Sequence, residues 1–389
     1  MGKYRLTFRK SVAKDLRALP TKDIASILKR IRSLAGEPRP HRCEKLSGQE
    51  RYRVRQGTYR IIYEINDDAV RCFSWLIGKH YEDRENIPPM LKPNLPGIDD
   101  EEGKKIPEGL PLVVDAHVHI FPSNIFSAIW AWFDENAWPI RYRLSTSAVL
   151  GHLLSHGVSH IIALQYAHKP GISRMLNQYM VEKCREFPGR VTGMAAVFPG
   201  EENVEEILKE AFDNGLKGVK LHAHVQCFDM NAEEMDVIYD LCESEQKPIV
   251  MHVGREPKSG AYRCDPYEIC SAEKLESVLQ NFPKLRICVP HLGFDEIFAY
   301  KKLIEKYDNL WLDTTMILAD YFPIKDTIKL KSYRVDRIMY GSDFPNIPYA
   351  WDRELKGLRN AGLPQENLEW ILEKSAAHFF GMGSVNKGK

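Results

Sequence analysis

The chain has 389 residues, 44% hydrophobic and 28% charged, which is too long for one ordinary domain and has the composition of a folded globular protein. No apolar run approaches the roughly 20 residues that a membrane span needs, and Met1-Gly2-Lys3-Tyr4-Arg5 is not followed by the apolar core of a secretory signal. The net charge of +1 hides an asymmetry: residues 1–90 hold 20 Lys and Arg against 11 Asp and Glu, and the rest hold 34 against 42. A small basic unit therefore precedes a larger acidic one, and a basic unit of this size suits an anionic partner such as RNA or an acidic protein. The eight cysteines include no Cys-x-x-Cys and have no disulfide-framework spacing. Buried free thiols in a reducing cytoplasm are expected.

In chain order, residues 4–9 alternate as a short strand. Residues 11–34 have helical spacing (Val12, Leu16, Leu19, Ile24, Ile27, Leu28, Ile31, Leu34), broken into a helical hairpin at Pro20, with Thr21 as N-cap of the second helix. Strands follow at 51–55, 59–66 and 70–76, with hairpin turns at Gln56-Gly57 and Asp67-Asp68. The stretches Tyr4-Arg-Leu-Thr-Phe8, Glu44-Lys-Leu-Ser-Gly48, Tyr52-Arg-Val-Arg55, Tyr59-Arg60-Ile-Ile-Tyr63-Glu64 and Trp75-Leu-Ile-Gly78 together resemble the RelE/ParE family of bacterial toxins. The resemblance implies a small α+β domain over residues 1–88 whose basic sheet grips mRNA on the ribosome. It puts Arg53, Arg55 and Arg60 on that surface, where guanidiniums would stabilise a charged phosphoryl transition state. His80 and Asn86 depart from the family, standing where Arg and a late Tyr are usual. A basic sheet face or an antitoxin-binding surface is thus the other reading of the three arginines.

Residues 89–109 are rich in Pro, Gly and charge, without period, and read as an exposed semi-rigid linker. Met90 at its start is a conceivable separate start codon. From 110 to 385, strand-like runs alternate with amphipathic helical segments. The strands fall at 112–118, 160–165, 191–197, 218–222, 249–253, 286–291, 310–314 and 337–341, with a final helix at 368–380 packing on the outside. Eight such units in a parallel arrangement predict an α/β fold, a (β/α)₈ TIM barrel, whose site lies at the C-terminal strand ends. Those ends carry His117-Val-His119, Lys220-Leu-His222, His252, His291 and Asp343. In a strand, residues i and i+2 share a face, so His117 and His119 leave it together and suit one metal ion.

Asp115-Ala-His117-Val-His119, Gly218-Val-Lys-Leu-His222, Val250-Met-His252-Val-Gly254, Pro290-His291-Leu-Gly293 and Tyr340-Gly-Ser-Asp343-Phe-Pro345 resemble the amidohydrolase superfamily, in its amidohydrolase-2 branch of metal-dependent hydrolases and decarboxylases. The resemblance implies that His117, His119, His252 and Asp343 bind one divalent metal and that His291 is a catalytic histidine. Imidazoles with a carboxylate suit Zn²⁺ best, with Mn²⁺ or Fe²⁺ possible. Asp343 could both bind the metal and take a water proton, and His291 could orient that water or protonate a leaving group or carbanion. His222, two residues after Lys220, touches substrate or hydrogen-bonds within the mouth, and the resemblance implies a mononuclear site because the usual bridging Lys of binuclear members is lacking. His224 reads as loop, and Asp115 as a group that orients the ligands or the backbone. Phe121, Phe126, Trp130, Trp132, Phe133 and Trp138 after the first strand form a lid over an apolar substrate or pack on the scaffold. Arg255 is a candidate clamp for a substrate carboxylate.

The expectation is a cytoplasmic fusion of a RelE/ParE-like unit with a metal-dependent hydrolase that attacks a C–N or C–O bond of a small molecule, able to form oligomers. Non-oxidative decarboxylation of an aromatic or unsaturated acid on the same metal is the alternative, and an RNA- or antitoxin-binding protein with an inactive barrel is the third reading.

Overall fold

The computed structural model describes residues 4–8, 21–40, 43–45, 51–56, 59–66, 69–74, 97–256, 261–321 and 328–383. The chain divides into two compact units, Met1–Asn94 and Leu95–Lys389, and the division falls inside the expected linker.

In the first unit, β1 (Arg5–Phe8) is followed by a helix, Thr21–Leu34. Then come β2 (Glu44–Lys45), β3 (Arg51–Gln56), β4 (Tyr59–Asn66) and β5 (Ala69–Ser74). The sheet order is β1-β5-β4-β3-β2, with β1 parallel to β5 and the other pairs antiparallel. Ile27, Ile31 and Leu34, at helical spacing, are buried with Tyr52, Val54, Ile61 and Tyr63, at strand spacing. The Tyr63 hydroxyl donates to the Pro38 carbonyl at 2.7 Å and the Tyr52 hydroxyl accepts from Arg39 Nε at 3.2 Å, so both polar tips in this small core are satisfied. The helix begins at Thr21, one residue from the expected start, whereas the expected first half of the helical hairpin lies outside the described residues. Arg53 and Arg55 lie on β3, and Arg55 pairs in register with Arg60 of β4. Their side chains lie outside the described residues.

The second unit is built on parallel strands β6 (Val114–His119), β7 (His160–Leu164), β8 (Val191–Gly193), β9 (Ala195–Ala196), β10 (Val219–His222), β11 (Ile249–His252), β12 (Ile287–Val289), β13 (Leu310–Asp313) and β14 (Ile338–Met339). β8 and β9 flank Met194 and act as one interrupted strand, which gives eight barrel strands among the described residues. The ladder joins β6-β7-β8 and β9-β10-β11-β12-β13-β14. It closes where Ala116 N–H donates to Tyr340 O at 2.9 Å, Asp343 N–H to His117 O at 2.9 Å and His119 N–H to Phe344 O at 2.8 Å. Continuous apolar runs form these strands because both faces are covered. Ile161, Val219, Ile249, Ile287 and Leu312 pack outward with the helices. Ile162, Val250, Cys288 and Trp311, the alternate positions, form a second cluster inside the barrel.

Two features depart from expectation. The terminal helical run, Gln365–Glu369, Trp370–Lys374 with π spacing, and Ser375–Phe380, does not merely lie on the outside. Ala376, Phe379 and Phe380 join the interior cluster, and the Phe379 ring lies 5.2 Å from that of Trp311. The end opposite the site is thereby plugged, because the apolar interior layer needs a cover there. Residues 97–109, although largely exposed, are also tied to the barrel. Asp100 pairs with Arg353 at 2.9 Å and accepts from Ala350 N–H at 3.1 Å. Trp351 Nε1 donates to Gly103 O at 3.0 Å, and Glu102 accepts from Arg141 at 3.1 Å and from the Tyr142 hydroxyl. Prolines and charges predicted exposure, but hydrogen bonds from the folded barrel capture half of the segment.

Phe379 is fully buried, so Phe379→Ala opens a cavity over the interior layer. The expected cost is about 3–5 kcal/mol, read by chemical denaturation of the chain and its variant.

Candidate metal centre at the barrel mouth

The site is built where β6 leaves the barrel. The β6–β7 register shifts between Asp115 and Val118, so that one extra residue is accommodated in β6. Such a bulge re-aims side chains. Val114 and Ala116 belong to the interior layer, and past the bulge His117 and His119 turn into the mouth. Gly341, across the closure, makes room: a Cβ there would stand 2.6 Å from His117 Cβ and 2.4 Å from Thr315 Oγ1.

His117, His119 and Asp343 converge as an expected metal set. His117 Nε2 is 3.2 Å from His119 Nε2 and 3.6 Å from Asp343 Oδ1, and His119 Nε2 is 3.0 Å from the same oxygen. Asp343 is held at φ 62° and His291 at φ 56°, in the left-handed region that costs a non-glycine residue of order 1–3 kcal/mol. Asp313, at the end of β13, explains much of the order. Its Oδ2 accepts from His117 Nδ1 at 2.8 Å, and its Oδ1 accepts from the backbone N–H of His291 at 3.0 Å and of Thr315 at 3.2 Å. His117 Nε2 is then left with a lone pair, facing His119 Nε2. A proton on His119 Nε2 would satisfy Asp343 but not His117, whereas a cation satisfies all three. The donor set therefore fits a divalent metal, and Asp313 is the carboxylate that orients its histidine ligand. His291 Nδ1 donates to Thr315 O at 2.9 Å, which leaves its Nε2 free to accept.

A second cluster adjoins the first. His222, ending β10, and His252, ending β11, pair in register and stack at 4.0 Å with 9° between the rings. With His224 they form a second group whose ligand atoms lie within 4.8 Å of one another. Glu256 accepts from His252 Nε2 and lies 3.3 Å from His224 Nδ1. The His291 ring stands between the groups, 5.8 Å from the His117 ring and 4.7 Å from that of His252. Tyr166 bridges the other side, 5.9 Å from His119 and 4.9 Å from His222.

Burial sets the charge states. It pushes His117 and His222 well below the usual imidazole range, lowers His119, and takes His252 down to about 3. These rings are neutral at pH 7, as metal ligation requires. Burial alone would raise Asp343, but the hydrogen bond and charge of His119, with His117, bring it down to about 2. Glu256 is held well below the usual range by His224 and His252 against the cost of its burial. Burial raises Asp115 to about 7, although its Oδ1 accepts from His117 N–H at 3.2 Å and Ser342 N–H at 3.0 Å, tying β6 to the Asp343 loop. Lys220 is fully buried, its Nζ lacks a hydrogen-bond partner among the described residues, and burial lowers it to about 8 despite Asp313 and Asp343.

Of the residues singled out in the sequence, His117, His119 and Asp343 meet, and His291 lies beside them. His252, the expected fourth ligand, is grouped instead with His222 and His224, on Glu256. Arg255, read as a candidate carboxylate clamp, has partners within the chain. Its Nε donates to Cys270 O at 2.7 Å and its terminal nitrogens reach Tyr267 O at 3.1 Å and Glu296 at 3.4 Å, so loop carbonyls and a carboxylate already hold the fork. His224, read as loop, is buried on the short helix Ala223–Gln226, with Nδ1 3.3 Å from Glu256 and Nε2 short of a hydrogen-bond partner among the described residues. Sequence reasoning missed Asp313 and Glu256. The signal for Asp313 was present, a carboxylate ending strand Leu310-Trp-Leu-Asp313 as histidines end its neighbours. Of the aromatic residues, Phe126 is buried and stacked on Trp130 at 5.0 Å. Trp132 reaches Tyr262 at 5.5 Å, and the Tyr262 hydroxyl donates to Glu256 at 3.3 Å. The helix Ser123–Asn136 thus both packs on the scaffold and borders the mouth.

A closed eight-stranded barrel with a His/Asp cluster at its C-terminal mouth defines the class of barrel enzymes that work through a bound metal. Residues 114–382 match the family described as amidohydrolase, and the chain belongs to that family of enzymes. No curated protein matches the chain in sequence. Among solved structures, the chain is similar to 5-carboxyvanillate decarboxylase of Novosphingobium aromaticivorans, complexed with manganese and 4-hydroxy-3-methoxy-5-nitrobenzoic acid (16% identity, 72% of this chain and 100% of that one, TM-score 0.56). It is similar to a TIM-barrel protein of Bordetella bronchiseptica (16%, 70% and 99%, TM-score 0.55). It is also similar to 2,6-dihydroxybenzoate decarboxylase from Rhizobium (15%, 70% and 99%, TM-score 0.52). These likenesses establish the fold. No helix among the described residues is long and apolar enough to cross a membrane.

Two outcomes follow. Asp313→Asn keeps the shape but weakens the hold on His117, and should reduce divalent-metal affinity about 10–100-fold in a competition titration. For Lys220 the folded chain releases its proton near pH 8 and the unfolded chain near 10.5. Between these values the unfolded state binds more protons, so metal-free stability rises with pH across that window. Lys220→Met should flatten that rise, read as Tm against pH.

Proposed function

We propose that the barrel is a hydrolase of a small-molecule C–N or C–O bond that uses one divalent metal, Zn²⁺ by preference and Mn²⁺ or Fe²⁺ as alternatives. The convergence of His117 Nε2, His119 Nε2 and Asp343 Oδ1 within 3.0–3.6 Å carries this reading. His252 is the fourth ligand that the family resemblance implies. A metal bound there supplies Lewis acidity and brings water to acidity near neutral pH. Asp343, ionised down to about pH 2, can accept the water proton. His291, with Nδ1–H committed to Thr315 O, has Nε2 free to receive a proton and pass it to the leaving group. Asp313 keeps His117 in the ligating tautomer and the His291 backbone in position. Tyr166 and His222 line the mouth, where substrate binds.

The charge of the mouth favours hydrolysis over the second reading, non-oxidative decarboxylation. Glu256 stands ionised beside His252, and Arg255, the expected clamp, is engaged elsewhere. An anionic substrate would meet a carboxylate without that guanidinium. Decarboxylation keeps support from the names of two structural neighbours, and His291 of this chain could serve the proton transfer to a carbanion. For residues 1–88 the RelE/ParE-like reading continues as a proposal for an RNA- or antitoxin-binding unit. The β1-β5-β4-β3-β2 sheet, with Arg53, Arg55 and Arg60 on its two adjacent strands, supports it.

The deciding measurement is metal content of the purified chain, followed by a panel of amides, lactones and carboxylates with CO₂ release monitored. The expected outcome is turnover of a neutral amide or lactone without CO₂, falling at least about 100-fold in Asp343→Asn. Stoichiometric CO₂ release would instead establish decarboxylation. Metal content unchanged by His117→Ala would return the barrel to a binding role. Growth arrest on expression of residues 1–90 is the matching expectation for a toxin-like unit.

A further inference from the structure

The rim of the mouth carries a thiol pair that the metal chemistry leaves unused. Cys227 closes the short helix Ala223–Gln226, three residues after His224, and Cys264 lies in the loop after β11, two residues after Tyr262. Both thiols donate to one acceptor, the His224 carbonyl, Cys227 Sγ at 3.8 Å and Cys264 Sγ at 3.5 Å. The Cys264 thiol also hydrogen-bonds to that of Cys227. Burial raises the thiols of Cys184, Cys242, Cys270 and Cys288, which keeps them inert. Cys227 is instead the one exposed thiol among the described residues. Its backbone has φ 58°, in the left-handed region where the end of a helix usually carries glycine or asparagine, so a side chain is kept where the backbone favours none.

We propose that Cys227 and Cys264 form a reversible disulfide that latches the rim of the mouth, with a low-molecular-weight disulfide such as oxidised glutathione as the oxidant. The Cys227 thiolate attacks one glutathione sulfur, the glutathione S–S bond breaks, and the glutathione that leaves takes up the proton Cys227 lost. The Cys264 thiolate then attacks the Cys227 sulfur of the mixed disulfide. The Cys227–Cys264 bond forms, and the second glutathione leaves and takes up the Cys264 proton. Two cysteines lose two electrons, and one glutathione disulfide gains them as two thiols. Cys227 reacts first because it is exposed, while burial and the Cys227 thiol push Cys264 up to about 12. The second of those causes ends when Cys227 enters the mixed disulfide. Sulfurs that already share one carbonyl then close to about 2 Å.

The latch acts on the site through Tyr262. The Tyr262 hydroxyl donates to Glu256 at 3.3 Å, and its ring lies 5.6 Å from that of His224 and 5.5 Å from that of Trp132. Tying Cys264 to Cys227 fixes Tyr262 between the helix Ser123–Asn136 and the His222, His224 and His252 group, and so narrows the entrance. Slower turnover by the latched chain rests on the hydrolase reading above, whereas the bond itself does not.

The test uses the full chain, reduced, desalted and incubated with oxidised glutathione. Thiols are counted in denaturant, and masses are measured intact and after digestion. The chain holds eight cysteines, so the expected thiol count falls from eight to six, with a mass lower by two hydrogens and one peptide pair joined through Cys227 and Cys264. Tm should rise by several degrees, and dithiothreitol should reverse every change. Cys264→Ser should stop at the intermediate, with one glutathione on Cys227, and Cys227→Ser should keep all its thiols. A native chain that keeps eight thiols, holds glutathione stably on Cys227, or bridges any other pair would overturn the latch. These readouts need no substrate, so failure of the hydrolase reading leaves them intact. Equal turnover by the latched and reduced chains would overturn the control of the entrance.

Discussion

The Asp313 carboxylate is the contact on which the mouth depends. One oxygen fixes the His117 ring through Nδ1, and the other takes the backbone N–H groups of His291 and Thr315. Both candidate tautomers follow. His117 is obliged to present Nε2 to its neighbours, and His291, with Nδ1–H on Thr315 O, presents Nε2 as well. Remove this carboxylate and the ligand ring, the proton carrier and the β13 end lose their common reference.

The rest of the barrel serves to bring that reference into place. The bulge in β6 converts an apolar interior strand into one that ends in two inward histidines. Gly341 lets the opposite strand pass against His117 without a side chain in the way. The left-handed backbone at His291 and Asp343 is strain concentrated at the mouth, and the packed barrel with its Phe379 plug supplies the rigidity that sustains it. Neutral imidazoles and an ionised Asp343 coexist here because burial lowers the rings, while the hydrogen bond and charge of His119, with His117, outweigh burial at Asp343.

Two adjoining histidine groups in one mouth change how the chemistry can be read. The first resembles what the strand-end motifs imply. The second depends on His224, on the short helix Ala223–Gln226, and on Glu256, both just past strand ends. Arg255 is held by Cys270, Tyr267 and Glu296.

Local pattern was enough to make the barrel legible. Apolar runs with helical segments between them specify parallel strands, since a strand covered on both faces must be apolar throughout. His117, His119, His252, His291 and Asp343 were legible because the C-terminal ends of such strands share one mouth. What pairwise distance decides was not legible. Nothing in the spacing of His252 says that it stacks on His222 rather than closing on Asp343, and nothing in Gly254-Arg255-Glu256 says which charge turns inward. Asp313 shows in the sequence as a carboxylate ending a strand, but its hold on His117 shows only when β13 is seen to lie between β12 and β14, and residues 97–109 read as linker until Asp100 meets Arg353. Sequence periodicity determines which face of an element is apolar, hence the fold and the ring of candidate residues. Tertiary structure alone decides which of those residues touch, because hydrogen bonds and ligand sets depend on separations of a few ångströms between groups tens to hundreds of residues apart.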